Sequence, residues 1–163
     1  MRSFARRKRL SLWASRASRL CMKLILSGYA QGVTPSAKLS LELCVDVRSV
    51  REARHAVDSL QTVSDPEVIF NLRLLVTELV GNSVRHAGLE PGDQITVDFD
   101  VDGSRVRVVV SDPGPGVTTL VSEQSRTSGY GLYLVDALAD RWGVEPGGAQ
   151  SSVWFEIDLP EAV

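Results

Sequence analysis

Leu39, Leu41, Leu43 and Val45 alternate with Ser40, Glu42 and Cys44, the two-residue period of a strand with one buried face. The period then changes, as Val50, Ala53, Val57 and Leu60 recur at helical spacing behind capping residues at Asp46 to Ser49. Ser64 and Asp65 ahead of Pro66 open a second helix, and apolar residues continue at helical spacing through Val84 until Gly88 and Pro91 close it. Alternation returns at Ile95, Val97, Phe99 and Val101, and again at Val106, Val108 and Val110, with Asp102 and Gly103 as a hairpin turn between them. From Asp112 to Gly131 the chain is rich in glycine, proline, serine and threonine. Leu132 to Trp142 then predicts a third helix, and Val153, Phe155, Ile157 and Leu159 predict a closing strand after Gly147 and Gly148. Helices interleaved with mostly hairpin-connected strands imply an α+β fold. The expected form is a two-layer α/β sandwich, its sheet mixed but mostly antiparallel and its helices on one face.

Composition sharpens the boundaries. The chain has 163 residues, 44% of them hydrophobic, which suits one domain with a buried core. Its formal net charge is -2, yet eight of its 18 Lys and Arg residues fall in the first 23 positions, where there is no Asp or Glu. Residues 1–37 therefore read as a basic extension expected to be flexible, with an amphipathic surface-binding arm as the alternative, and residues 38–163 as the folded domain. The acidic remainder gives no general reason to bind nucleic acid. Cys21 and Cys44 are far apart in sequence and fit neither a metal-site spacing nor a disulfide framework, so a reducing cytoplasm is expected. The longest apolar run, Leu20 to Leu26, is interrupted by Lys23 and is too short to span a bilayer.

Three stretches carry chemistry. On the helix from Pro66 to His86, the residues Glu78, Asn82 and His86 stand four apart and form one stripe beside the bearing of Leu72, Leu75 and Leu79. A carboxylate, an amide and an imidazole turned toward a core need partners, and either a ligand pocket or an internal hydrogen-bond network supplies them. Placing the stripe at the border of the buried face also satisfies it. Asp112-Pro-Gly-Pro-Gly116 follows directly on a strand: a carboxylate there can accept from an exocyclic amine, and Gly114 and Gly116 let backbone approach a flat ring, although a rigid surface turn has the same composition. Ser128-Gly129-Tyr130-Gly131-Leu132 leads into a helix and puts free backbone N–H groups where a phosphate could bind, or makes an ordinary glycine-rich helix entry.

In this order and on these elements, the three stretches resemble the GHKL superfamily of gyrase, heat-shock chaperone, histidine kinase and mismatch-repair ATPases, over about Leu39 to Pro160. Glu78-Leu-Val-Gly-Asn82-Ser-Val-Arg-His86 is similar to its N box, Asp112-Pro-Gly-Pro-Gly116 to its G1 box, and Gly129-Tyr-Gly131-Leu132 to its G2 box. The resemblance implies the histidine-kinase-like ATPase fold with ATP and Mg²⁺ as ligands. Asn82 would hold Mg²⁺, Asp112 would read the adenine amine, and Gly129 and Gly131 would hold phosphate, with His86, Gly114, Gly116, Arg126 and Leu132 also in the nucleotide site. Glu78 would be the general base, which suits phosphoryl transfer because a hydroxyl must be oriented beside the metal-bound phosphate.

By its length the chain is expected to lack a sensor kinase's dimerisation helices and a gyrase-like transducer domain. The 131–143 segment is also similar to the G2 helix of actinobacterial anti-sigma-factor kinases. That resemblance implies a serine/threonine protein kinase that binds a sigma factor, phosphorylates a STAS-type anti-anti-sigma protein, and often forms a homodimer. Two departures stand against the pattern: Arg126 lies three residues before Gly129 rather than two, and the loop between the G1 and G2 boxes is short. A regulator that binds ATP without turnover, and a pure interaction module, are the alternatives.

Overall fold

The structure, a computed structural model, describes residues 21–27, 36–90, 92–114, 130–145 and 150–160. Among the described residues six strands form one sheet in the order β1-β2-β3-β4-β6-β5, with β1 at Cys21–Ser27, β2 at Ser36–Cys44, β3 at Gln94–Val101, β4 at Arg105–Asp112, β5 at Arg141–Glu145 and β6 at Ser151–Asp158. All five pairings are antiparallel. Helices α1 (Val47–Asp58), α2 (Pro66–His86) and α3 (Tyr130–Leu138) complete the expected α+β sandwich.

The alternation seen in the sequence becomes continuous apolar rows across the sheet. Register sets Leu41 opposite Val97 and Val97 opposite Val110, while Leu39, Phe99, Val108 and Phe155 form the neighbouring row. These side chains are buried against Ala53, Val57, Leu72, Leu75, Val76 and Leu79 of the helix layer. The starts of α1 and α2 are capped as their residues suggest. Asp46 accepts from the Arg48 amide, and Asp65 accepts from the amides of Glu67 and Val68 with Pro66 in the first turn. Helix α2 stops at Ala87, and Gly88 follows with φ of 64°, a left-handed turn that glycine makes without strain.

The far face of the sheet is polar and internally paired. Register aligns Lys38, Asp100, Arg107, Glu156 and Arg141 in one row of alternating charge over five strands. Lys38 meets Asp100 at 2.6 Å, while Glu156 receives Arg107 at 2.9 Å, Arg141 at 2.8 Å and Arg105 at 3.3 Å. The Glu156 side chain is only 7% exposed. Hydrogen bonding from Arg141 and Arg107, with the charge of Arg105 nearby, holds its carboxyl below the usual carboxylate range despite burial. Beside it the Arg107 guanidinium lies over the Trp154 ring at 4.0 Å, and Trp154 leans on Gly143 so closely that a Cβ there would sit 2.9 Å from the indole.

Two expectations about extent are revised. Cys21–Ser27, assigned above to the flexible extension, is an edge strand paired with Ser36–Glu42, so a boundary at Lys38 would cut through β2. Lys23 had hidden it, since a charged residue interrupts the apolar run yet is at home on an edge strand. The third helix was expected to reach Trp142 but ends at Leu138, and Arg141–Glu145 pairs with β6 instead. Tertiary bonds decide this: the Asp140 amide donates to the Glu156 carbonyl, the Asp158 amide donates to the Asp140 carboxylate, and the Arg141 guanidinium engages Glu156 and Asp158. Among the described residues no helix is long and apolar enough to cross a membrane.

Candidate functional site

The candidate residues gather where the C-terminal half of α2, the end of β4 and the start of α3 meet. Glu78 and Asn82 lie half-buried one turn apart on α2, at the border of its apolar face rather than inside it. Each step of four residues rotates about 40° toward the core bearing, so His86 has the most inward bearing of the three. It is nevertheless exposed, because the last turn has run past the core and Arg85 beside it is exposed too. An inward-facing stripe thus holds only as a border position, and His86 takes no part in the contacts below.

Asp112 ends β4 with its carboxylate held from three directions. The Ser83 hydroxyl donates to Oδ2 at 2.5 Å, while the Gly114 amide at 2.9 Å and the Ser151 hydroxyl at 3.3 Å donate to Oδ1. Ser83 follows Asn82 on α2 and is buried at 7% exposure, and Ser151 stands opposite Asp112 in the β4–β6 register. Neither serine was singled out in the sequence. Ser83 lies inside the stretch from Glu78 to His86, but only the strand register could have disclosed Ser151. Two serines and an amide fix the rotamer of a carboxylate whose free lone pairs remain available to an outside donor. Replacing Ser83 by alanine removes one such bond at a buried position and is expected to lower stability by about 1–2 kcal/mol, read by denaturant unfolding.

Glycines mark where backbone comes close. A Cβ on Gly114 would stand 2.7 Å from the Ala87 carbonyl oxygen, so the turn after β4 packs directly on the end of α2. A Cβ on Gly131 would stand 2.2 Å from Nδ2 of Asn82, which puts the first turn of α3 against that amide. Leu132 beside it is half-buried against the core. At its other end α3 is tied to β5, where the Trp142 indole N–H donates to Asp136 at 3.0 Å. Gly116, Arg126 and Gly129 lie outside the described residues.

A carboxylate pinned at a strand end, a helix amide and the N-terminal turn of a second helix thus converge across one corner of a helix-covered antiparallel sheet. Residues 43–157 match the family model of the histidine kinase-like ATPase domain, and the chain belongs to that family. Within that family it is similar to a serine-protein kinase. It is 34% identical over 89 residues to the serine-protein kinase RsbW of Listeria innocua, an alignment covering 45% of this chain and 56% of that kinase. It is also 38% identical over 85 residues to an uncharacterized Streptomyces coelicolor protein, covering 50% of this chain and 79% of that protein. In fold it matches the crystal structure of the RsbU and RsbW domains of a Mycobacterium tuberculosis protein, with a TM-score of 0.63 at 19% identity, covering 79% of this chain and 34% of that one.

Proposed function

We propose that the chain binds ATP with Mg²⁺ and transfers the terminal phosphoryl group to a serine or threonine of a STAS-type anti-anti-sigma protein, and in doing so regulates a sigma factor. The observation that carries this reading is the pairing of the fixed Asp112 carboxylate with the Asn82 amide packed on the first turn of α3. That donor set fits the ligand. A carboxylate whose hydrogen-bond donors are already in place suits an exocyclic amine, an amide oxygen suits a hard cation, and the opening turn of a helix suits phosphate.

On this reading Asp112 accepts from the adenine amine, with Gly114 and Gly116 giving room for the ring. Asn82 supplies an oxygen to Mg²⁺, and Gly129, Gly131, Leu132 and Arg126 surround the phosphates. Mg²⁺, when bound, neutralises phosphate charge. Glu78, one turn before Asn82, takes the proton of the attacking hydroxyl, so it acts on the acceptor and not on nucleotide binding. His86 belongs to the site only through its position one turn after Asn82 on the same helix. The likeness to the serine-protein kinase of Listeria innocua supports kinase chemistry; a role beside sigma factors, a homodimer and a cytoplasmic location are part of the proposal.

The test couples binding to transfer. The melting temperature of the purified protein should rise with ATP and Mg²⁺, by about 2.7 kcal/mol of stabilisation at a hundredfold excess over the dissociation constant. Asn82→Ala should abolish that rise. Glu78→Ala should keep it while phosphate transfer to a STAS-type anti-anti-sigma protein falls about 10²-fold or more. A wild type that binds nucleotide but transfers nothing leaves a nucleotide-dependent regulator, and a wild type whose melting ignores ATP leaves an interaction module.

A further inference from the structure

Helix α2 contains a glycine with no evident structural duty. Gly81 sits mid-helix, where glycine is less favourable than alanine by about 1 kcal/mol. Its φ is not in the left-handed region, and no neighbouring backbone demands the space. The three atoms nearest to a Cβ placed there all belong to the Arg85 guanidinium, the closest at 2.9 Å. One turn further on, Arg85 folds back along the helix through this gap, and its Nη2 donates to Oδ1 of Asn82 at 3.3 Å. The other side of the same amide, Nδ2, faces Gly131. Two glycines therefore shape the surroundings of one amide, with the first turn of α3 at its nitrogen and a cation at its oxygen.

We propose that Arg85 is a positioning residue that holds the oxygen of Asn82 until Mg²⁺ replaces it, so that metal entry requires the guanidinium to leave. This inference rests on the reading of Asn82 as the metal-holding amide. The physical ground is competition between cations. Mg²⁺ demands near-ideal octahedral geometry with oxygens at about 2.0–2.1 Å. A guanidinium nitrogen 3.3 Å from one of those oxygens would crowd the coordination sphere and repel the ion. Arg85 is exposed, so displacement moves a flexible side chain and no backbone. Until then the contact fixes which end of the amide faces the site, because a guanidinium donates and never accepts. Gly81 supplies the path, which accounts for a glycine at a helix position that otherwise disfavours it.

The experiment measures binding of ADP by equilibrium dialysis over a series of Mg²⁺ concentrations, for the wild type, Arg85→Gln, Gly81→Ala and Asn82→Ala. With the cation removed in Arg85→Gln, or pushed off its path in Gly81→Ala, the Mg²⁺ midpoint should fall roughly threefold or more, the scale of one partly exposed charge-assisted bond. A midpoint that is unchanged or raised in Arg85→Gln overturns the proposal. So does a fall in Arg85→Gln that Gly81→Ala does not reproduce, since it would reflect charge and not the contact. The side-chain amide resonance of Asn82 in nucleotide-free protein, identified by its loss in Asn82→Ala, gives a readout independent of ligand. It should move alike in Arg85→Gln and Gly81→Ala, and an unmoved resonance overturns the contact. ADP binding that ignores Mg²⁺ and Asn82→Ala alike would instead sink the assignment of Asn82, while the resonance still judges Arg85.

Discussion

Replacing Gly131 by alanine should remove the response to nucleotide while leaving the domain folded. The added methyl would stand 2.2 Å from the Asn82 nitrogen, far inside contact distance, so either the amide must swing away or α3 must lift from α2. Both outcomes separate the two halves of the proposed phosphate and metal site. Propensity pulls the other way, because alanine in place of a helical glycine favours α3 by up to about 1 kcal/mol. The unliganded melting temperature should therefore change little, whereas ADP affinity should drop by about tenfold or more, as expected when preorganised groups are displaced by an ångström or so. Valine at the same position should be worse in both respects. A Gly131→Ala protein that binds ADP as the wild type does would mean that the junction of α2 and α3 is not part of the nucleotide site.

The second large effect lies on the opposite face and concerns stability alone. Glu156 is buried among three arginines that are themselves 32–46% exposed. Removing one partner of a fully buried pair typically costs 3–5 kcal/mol, and the exposure of the arginines discounts this to about 2 kcal/mol for Glu156→Ala. For a domain of this size that corresponds to a fall of about 5 °C in melting temperature. The pH dependence has a definite sign. The folded-state pKa of Glu156 is depressed, so its contribution is complete above the unfolded value of about 4.3 and is lost as pH falls through the lower folded value. Wild type and Glu156→Gln should thus differ most near neutrality and converge below about pH 4 in urea melts. Parallel curves down to pH 3 would show that the arginines do not hold this carboxylate.

Legibility in the sequence followed burial. Strands β2, β3 and β4 each bury one face under the helices, so their alternating residues announced them, and Asp65-Pro66 announced α2 by cap chemistry. Strand β5 has only five residues, none fully buried, and Arg141, Gly143 and Glu145 show no period; its existence depends on partners in β6. The site divides in the same way. Asn82, Asp112 and Gly131 stood out because their residue types are unusual for their positions. The residues that hold them, Ser83, Ser151 and Arg85, are ordinary by type and acquire meaning only from distances across the fold. His86 shows the opposite failure, for helical spacing alone cannot tell where a helix outruns its core.

The placement of two tryptophans gives the domain a built-in optical reference. Trp142 shares a cross-strand pair with the buried Phe155 and donates its indole proton to Asp136 of α3, while Trp154 lies on the other side of the sheet between Gly143 and the Arg107 guanidinium. Any lifting of α3 hands the first indole to water and shifts its emission to longer wavelength, yet leaves the second in its cationic stack. One chromophore therefore follows the helix that carries Gly131, and the other, only one β-strand away, reports that the sheet beneath has stayed intact.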